Sequence, residues 1–307
     1  MNDGGLYAPP LCPQLRTEIV FGPAETNGRT VIYHVKDRAT DWFYRIGVRE
    51  YFLLSRMDGS RTLEEIGDEY RAHFGRQLDA RAWGDLFNLL EQRQMLAHSA
   101  TPAGLAALRE KLAERRGQEN RNLLRRRFPI VKPDRFLGEA LSWLGFALNP
   151  AFAWPAAIAI IAAELFIVLN WQAIGADAWA VGGHYGVFVA LVLFLWLYVA
   201  QHELAHGLAC KYYGGSVSEM GLMWRYLTFV FYCKIEDVLL FHDRRHRLYT
   251  AFAGVFANLL LLPLLVLLWR FLPGGSIRTF SALALILVNG TCLVNLFPFV
   301  ELDGYYV

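Results

Sequence analysis

LVLFLWLYVAQHELAHGLAC, residues 191–210, runs from an apolar stretch into a His-Glu-x-x-His motif without a break. On a helix, His202 and His206 project from one face, one above the other. Glu203 follows the first histidine and stands beside whatever the two imidazoles hold. This is the spacing of a zinc site whose glutamate acts as general base. The helix of a soluble metalloprotease has a wet side, whereas this one is preceded by residues that suit hydrocarbon. Together the two features imply zinc chemistry at or inside a membrane.

The rest of the chain agrees with a membrane setting. Its 307 residues are 55% hydrophobic and 19% charged, against about 25% charged in a soluble domain. Four stretches have the length and polarity of spans: Phe152 to Asn170, Tyr185 to Cys210, Tyr249 to Phe271 and Phe280 to Phe299. The 171–184 loop lacks Lys and Arg, while the 211–248 loop carries Lys211, Arg225, Lys234, Arg244, Arg245 and Arg247. Charge counting therefore puts the N-terminal domain and the 211–248 loop on the inner, cytoplasmic side and the 171–184 loop outside, in a multi-pass membrane protein. The start, MNDGGLYAPPLC, has no basic stretch leading into an apolar run, so no signal peptide is expected. Cys12, Cys210, Cys233 and Cys292 are too scattered for a disulfide scaffold or a Cys-rich zinc site.

With this topology the second and fourth spans run the same way, so residues 295–303 lie level with the histidines. Zinc needs a third protein ligand and an open position, and Asp303 is the candidate. Pro298 ends the fourth span, and Gly304 lets the backbone turn after the carboxylate. Asn295 can hydrogen-bond an extended substrate backbone or the carbonyls freed around Pro298. The expectation is one Zn2+ per chain on His202, His206 and Asp303, with Glu203 as catalytic base. Glu164, an acid within the first span, also demands a role, because charged groups there are costly.

Residues 10–98 read as a separate small α+β domain. TVIYH (30–34) and WFYRI (42–46) form a hairpin about the turn KDRAT, and Glu18 to Phe21 adds a strand. Helices follow at VREYFLLSRM, at TLEEIGDEYRAHF with Thr62 and Glu65 in a capping box, and at DARAWGDLFNLLEQRQML opened by Asp79. The last two are in winged-helix style. No basic stripe marks a nucleic-acid surface, and an edge strand suits peptide binding better. Residues 99–150 form a basic juxtamembrane linker. In it, Arg125, Arg126 and Arg127 hold anionic headgroups while Phe128, Ile130, Phe136 and Leu137 dip into the interface. Residues 151–307 form the membrane core, so the fold class is mainly α, a polytopic membrane protein with about four transmembrane helices behind an α+β domain.

HELAHG at 202–207 with NLFPFVELDG at 295–304 resembles the site-2-protease family of intramembrane zinc metalloproteases, peptidase family M50. The resemblance implies zinc ligation at His202, His206 and Asp303, a base at Glu203, and a substrate-facing surface at Asn295 and Pro298. Gly254 and Asn258 match that family's usual third-span pattern, and Val255 departs from it. FVFYCKIED lies where relatives have a membrane-associated hairpin that guides substrate. The N-terminal domain, through Asp58, Gly59, Thr62, Glu65 and Ile66, is similar to PqqD-like precursor-recognition domains. The whole resembles the subgroup of peptide zinc metalloproteases linked to maturation of ribosomally made, modified peptides. The implied partners are a precursor or leader peptide, membrane lipids, and peptide-modifying or transport proteins. Two other functions fit the same residues: a zinc-dependent peptide-binding, transport or immunity protein that does not cut, and a regulatory site-2 protease acting on a membrane-anchored signalling protein. Glu203 separates enzyme from binder, since a purely structural zinc site does not need it.

Overall fold

A computed structural model describes residues 11–28, 30–119, 125–180, 185–225, 228–272 and 274–295. The chain divides into two compact units, Met1–Asn122 and Leu123–Val307.

The first unit is an α+β domain. Strands β1 (Ile19–Asn27), β2 (Thr30–Asp37) and β3 (Trp42–Gly47) form an antiparallel sheet in that order. β1 runs beyond the expected Phe21. Gly22-Pro23 there does not end the strand but falls at a bulge, where the register shifts between Phe21 and Ala24. Helices α1 (Val48–Leu54), α2 (Leu63–Phe74) and α3 (Ala80–Gln92) pack on the sheet. Thr62 accepts from Glu65 N–H while the Glu65 carboxylate accepts from Thr62 N–H at 2.7 Å, so the expected capping box is formed. Gly75 ends α2 at φ 67°, a left-handed conformation that glycine adopts without a Cβ clash. Asp79 caps α3 through Ala82 N–H at 2.7 Å. The core is Val35, Phe52, Ile66, Tyr70, Phe87, Leu90 and Leu96, with Leu63, Trp83 and Leu86 packed against it.

Helix α4 (Pro102–Glu119) belongs to this unit. Its Arg109 donates to the Ala39 carbonyl at 2.7 Å, and Arg116 donates to the Asp41 carbonyl and lies over the Trp42 ring. Two of the linker's basic residues therefore grip the β2–β3 turn.

The second unit opens with β4 (Arg125–Val131), which pairs with a hairpin made of β5 (Met220–Arg225) and β6 (Thr228–Cys233); α5 (Asp134–Leu144) follows β4. Gly221 makes this pairing possible, since a Cβ there would stand 2.1 Å from the Phe128 carbonyl oxygen. Phe128, Ile130 and Phe136 are exposed, whereas Leu137, expected to dip into the interface, is fully buried against Leu208, Cys210 and Val217.

Four helical segments have the length and apolarity to cross a membrane: Pro150–Leu169, Tyr185–Tyr212, Arg244–Phe271 and Ser276–Asn295. They are α6, α8, the pair α9 (Arg244–Leu259) and α10 (Leu261–Phe271), and α11. The expected loop after α6 is helical as well, as α7 (Trp171–Trp179). Ile174 and Ala178 bury its inner face, and Asp177 accepts from Trp269 at 3.0 Å and from Arg278 at 2.7 Å. The inner sides of the bundle share one apolar cluster that includes Ala163, Ile167, Tyr198, Val255, Leu262, Leu285 and Val288. Large side chains such as Trp154, Ile158, Leu193, Leu197 and Leu264 point outward, as lipid requires. The protein is thus mainly helical in its membrane-length region and α+β in its N-terminal domain.

The capping box generates a prediction for the N-terminal domain. Thr62→Ala should destabilise the unit by about 1 kcal/mol, read as earlier unfolding in a denaturant titration. The hydrogen bonds from Thr62 hold the Glu65 carboxyl below its ordinary value of 4.5. Its contribution is therefore present above that value and is lost as pH falls through the lowered one. Amide exchange in the first turn of α2 should rise on that acid side in the wild type, and much less so in Glu65→Gln.

Candidate functional site

Two helical ridges meet at the motif. On α8, Tyr198, His202 and His206 recur every four residues and are all buried. On α9, Thr250, Gly254 and Asn258 recur in the same way and are also buried. This is the geometry in which i±4 rows of two helices interlock. Gly254 lets them approach, because a Cβ there would stand 2.4 Å from His206 Nε2 and 2.7 Å from His202 Nε2. Gln201 adds a tie, donating to the Ala257 carbonyl at 2.8 Å.

The α9 ridge orients both imidazoles. His206 Nδ1 lies 2.7 Å from the Thr250 carbonyl oxygen, which can only accept, so Nδ1 carries the proton. The Asn258 Nδ2 donates to His202 Nδ1 at 2.9 Å, so the neutral His202 ring carries its proton on Nε2. That N–H points to His206 Nε2, 3.1 Å away. Each ring's tautomer is thus set by its neighbour on α9, and the pair is joined by an N–H···N bond.

Glu203 points to another element. Its Oε2 accepts the Cys233 backbone N–H at 2.9 Å, at the end of β6. Gly207 makes room, since a Cβ there would stand 3.0 Å from the Cys233 sulfur and 3.1 Å from Leu137. Two turns before Glu203, Trp196 packs edge-on against Phe231, so β6 runs along α8. Burial pushes the Cys233 thiol well above its ordinary value, and the Glu203 carboxylate and Cys210 add to the shift. The Glu203 carboxylate therefore lies beside a buried, protonated thiol.

Sequence reasoning expected one zinc ion per chain, and the structure corrects this. Among the described residues no group of three His, Cys, Asp or Glu side chains is placed to hold a metal ion. The physical reason is that the motif brings two donors, His202 and His206, hydrogen-bonded to each other, while the Glu203 carboxylate is engaged with the β6 backbone. Asp303 and Pro298 lie outside the described residues. Asn295 is the last residue of α11 and is half-buried. Glu164 forms no hydrogen bond or ion pair among the described residues, and it lies within the membrane-length helix α6.

Thr250, Tyr198 and Thr291 were missed by sequence reasoning as parts of the site. The signal was present for the first: Thr250, Gly254 and Asn258 repeat the four-residue spacing of the histidines. What the sequence does not state is that the two rows face each other.

Comparison with known proteins adds a distant relative. No family model and no solved structure matches the chain. Over 122 residues it is 25% identical to YydH of Bacillus subtilis (strain 168), a protein named as a candidate peptide zinc metalloprotease. The match covers 39% of this chain and 47% of that relative, so it spans about half the relative's length. The chain is therefore a protein of multi-pass membrane architecture with a distant bacterial likeness to a peptide metalloprotease.

Proposed function

We propose that the chain is a membrane-embedded endopeptidase that hydrolyses a peptide bond in a peptide or membrane-associated precursor. The observation that carries the reading is the Glu203 carboxylate, held by the backbone of β6 beside a buried histidine pair in a helix of membrane length. Glu203 takes a proton from the attacking water and passes it to the leaving amine. Among the described residues, β6 pairs with β5 on one side and forms an edge of its sheet. An extended substrate adds along that edge, which delivers its scissile bond to Glu203. Asn295 faces the substrate from the end of α11. The N-terminal α+β domain holds the leader or another recognition segment, raising the local concentration of the cleavage site. The name carried by the B. subtilis relative supports a peptide as substrate.

Two outcomes test this reading. Co-expression with precursor peptides encoded beside the gene should yield a shortened product with the wild type and none with Glu203→Gln; the same product from both proteins would refute hydrolysis by Glu203. For orientation, the basic 211–248 loop and the N-terminus are assigned to the cytoplasm. Alkaline phosphatase fused within 171–184 should be active and within 211–248 inactive, and the reverse pattern would overturn the assignment.

A further inference from the structure

A cleft of about 330 Å³ opens in the α+β unit between the segment that leads into β1 and the start of α4. That volume is at the small end for ligand pockets, about 300–1,000 Å³. Leu15, Ala97 and Leu105 give the cleft an apolar lining, and Arg16, Glu18 and Thr101 supply polar groups. Arg16 is the unusual member. Its side chain is 7% exposed, and its guanidinium is fixed on two sides. Nε donates to the Gln94 carbonyl, and Nη2 donates to the Asp37 carboxylate at 2.8 Å. Asp37 is fully buried and also accepts from Ala39 N–H and the Thr40 hydroxyl, both at 2.9 Å. The third nitrogen, Nη1, is buried and has no hydrogen-bond partner among the described residues. The half-exposed Glu18 carboxylate stands 3.7 Å from it, too far for a hydrogen bond. A buried donor on a charged group is costly to leave in this state.

The head of α4 is fixed beside this guanidinium through one residue. Gln94 sits at φ 52°, a conformation rare for a residue with a side chain. There its carbonyl receives Arg16 Nε, and its side-chain oxygen accepts Thr101 N–H at 3.1 Å. Thr101 in turn caps α4 through Gly104 N–H at 3.0 Å. No acidic residue occupies the first turn of α4, so the positive end of its dipole is not offset there. An acceptor that met Nη1 squarely would complete the hydrogen bonds of Arg16, and a negative one would also suit the helix end. A carboxylate meets both conditions. Glu18, tied to its own place in the chain, approaches without completing the bond. Turning it out to solvent gives up a long ion pair at a half-exposed position, which is worth little. The apolar lining beside the donor favours a peptide over a small free carboxylate.

We propose that this cleft binds an acidic side chain of a peptide: Arg16 Nη1 donates to the carboxylate, Glu18 is displaced, and Leu15 and Leu105 receive an apolar side chain beside it. The proposal rests on the reading that the N-terminal domain holds a recognition segment, and it makes that segment acidic.

The test uses the full chain in lipid nanodiscs and fluorescence anisotropy. The probes are fluorescein-labelled Gly-Ser peptides carrying one Leu and one Glu at varied separations, their Gln twins, and sodium glutarate as a free carboxylate. At least one Glu peptide should bind saturably, with its Gln twin about ten- to a hundredfold weaker. Glu18→Gln, which removes the competing carboxylate, should tighten binding about two- to fivefold. Removing Arg16 would leave Asp37 buried without its partner and endanger the fold, so the rim variant Ala97→Trp carries the blocking arm and should abolish binding. Equal affinity for the Glu and Gln peptides, no saturable binding of any Glu peptide, or unchanged binding in Ala97→Trp would overturn the proposal. Glutarate competing at the same concentration as the peptide would overturn the assignment to a peptide. Binding is read without cleavage, so the two readings fail separately. A wild type that binds the Glu peptide and cuts no precursor sinks the endopeptidase alone, whereas a precursor cut by a chain that binds no Glu peptide sinks the cleft alone.

Discussion

The close approach of α8 and α9 at Gly254 is the constraint on which the rest of the membrane unit depends. Two imidazoles in an apolar bundle would be expensive if left without partners. They are tolerated because a helix without a side chain at the contact brings the Thr250 carbonyl and the Asn258 amide within hydrogen-bond distance. Those groups fix which nitrogen of each ring carries its proton. A bulkier residue at 254 would separate the ridges and remove that control. Tyr198 and Thr291 extend the ridge arrangement to α11, and Cys233 connects it to β6. Three elements, α9, α11 and β6, therefore converge on one short stretch of α8.

Much of this is legible in the sequence where the physics is local. Thr62 with Glu65, and Asp79 before its helix, announce helix starts because a cap is satisfied within three residues. The spans are legible because composition alone decides whether a helix suits hydrocarbon. The shared face of His202 and His206 follows from helical spacing. Failures occur where a partner lies far along the chain. β4 reads as a basic linker because Arg125–Val131 becomes a strand only by pairing with Met220–Arg225. α7 reads as a loop because its order comes from contacts of Asp177 with Trp269 and Arg278, about a hundred residues on in the chain. The expected zinc ion failed similarly: the local motif supplies two donors, and a third must come from elsewhere.

The two units divide the proposed work in a physically sensible way. A small α+β domain with its own core can hold a recognition segment without disturbing a lipid-embedded site. In the proposed reading, the membrane unit offers a strand edge and a carboxylate to a chain presented in extended form. In the same reading, recognition and reaction are linked by tethering.

The central claim is that α9 sets the tautomers of a hydrogen-bonded histidine pair on α8. Nitrogen-15 NMR of the full chain in nanodiscs, labelled at histidine and assigned through His202 and His206 substitutions, tests it most directly. The account predicts a proton on Nδ1 of His206, a proton on Nε2 of His202, and a coupling between the two ε nitrogens across the N–H···N bond. Protons on Nδ1 of both rings, with no coupling between the ε nitrogens, would contradict it.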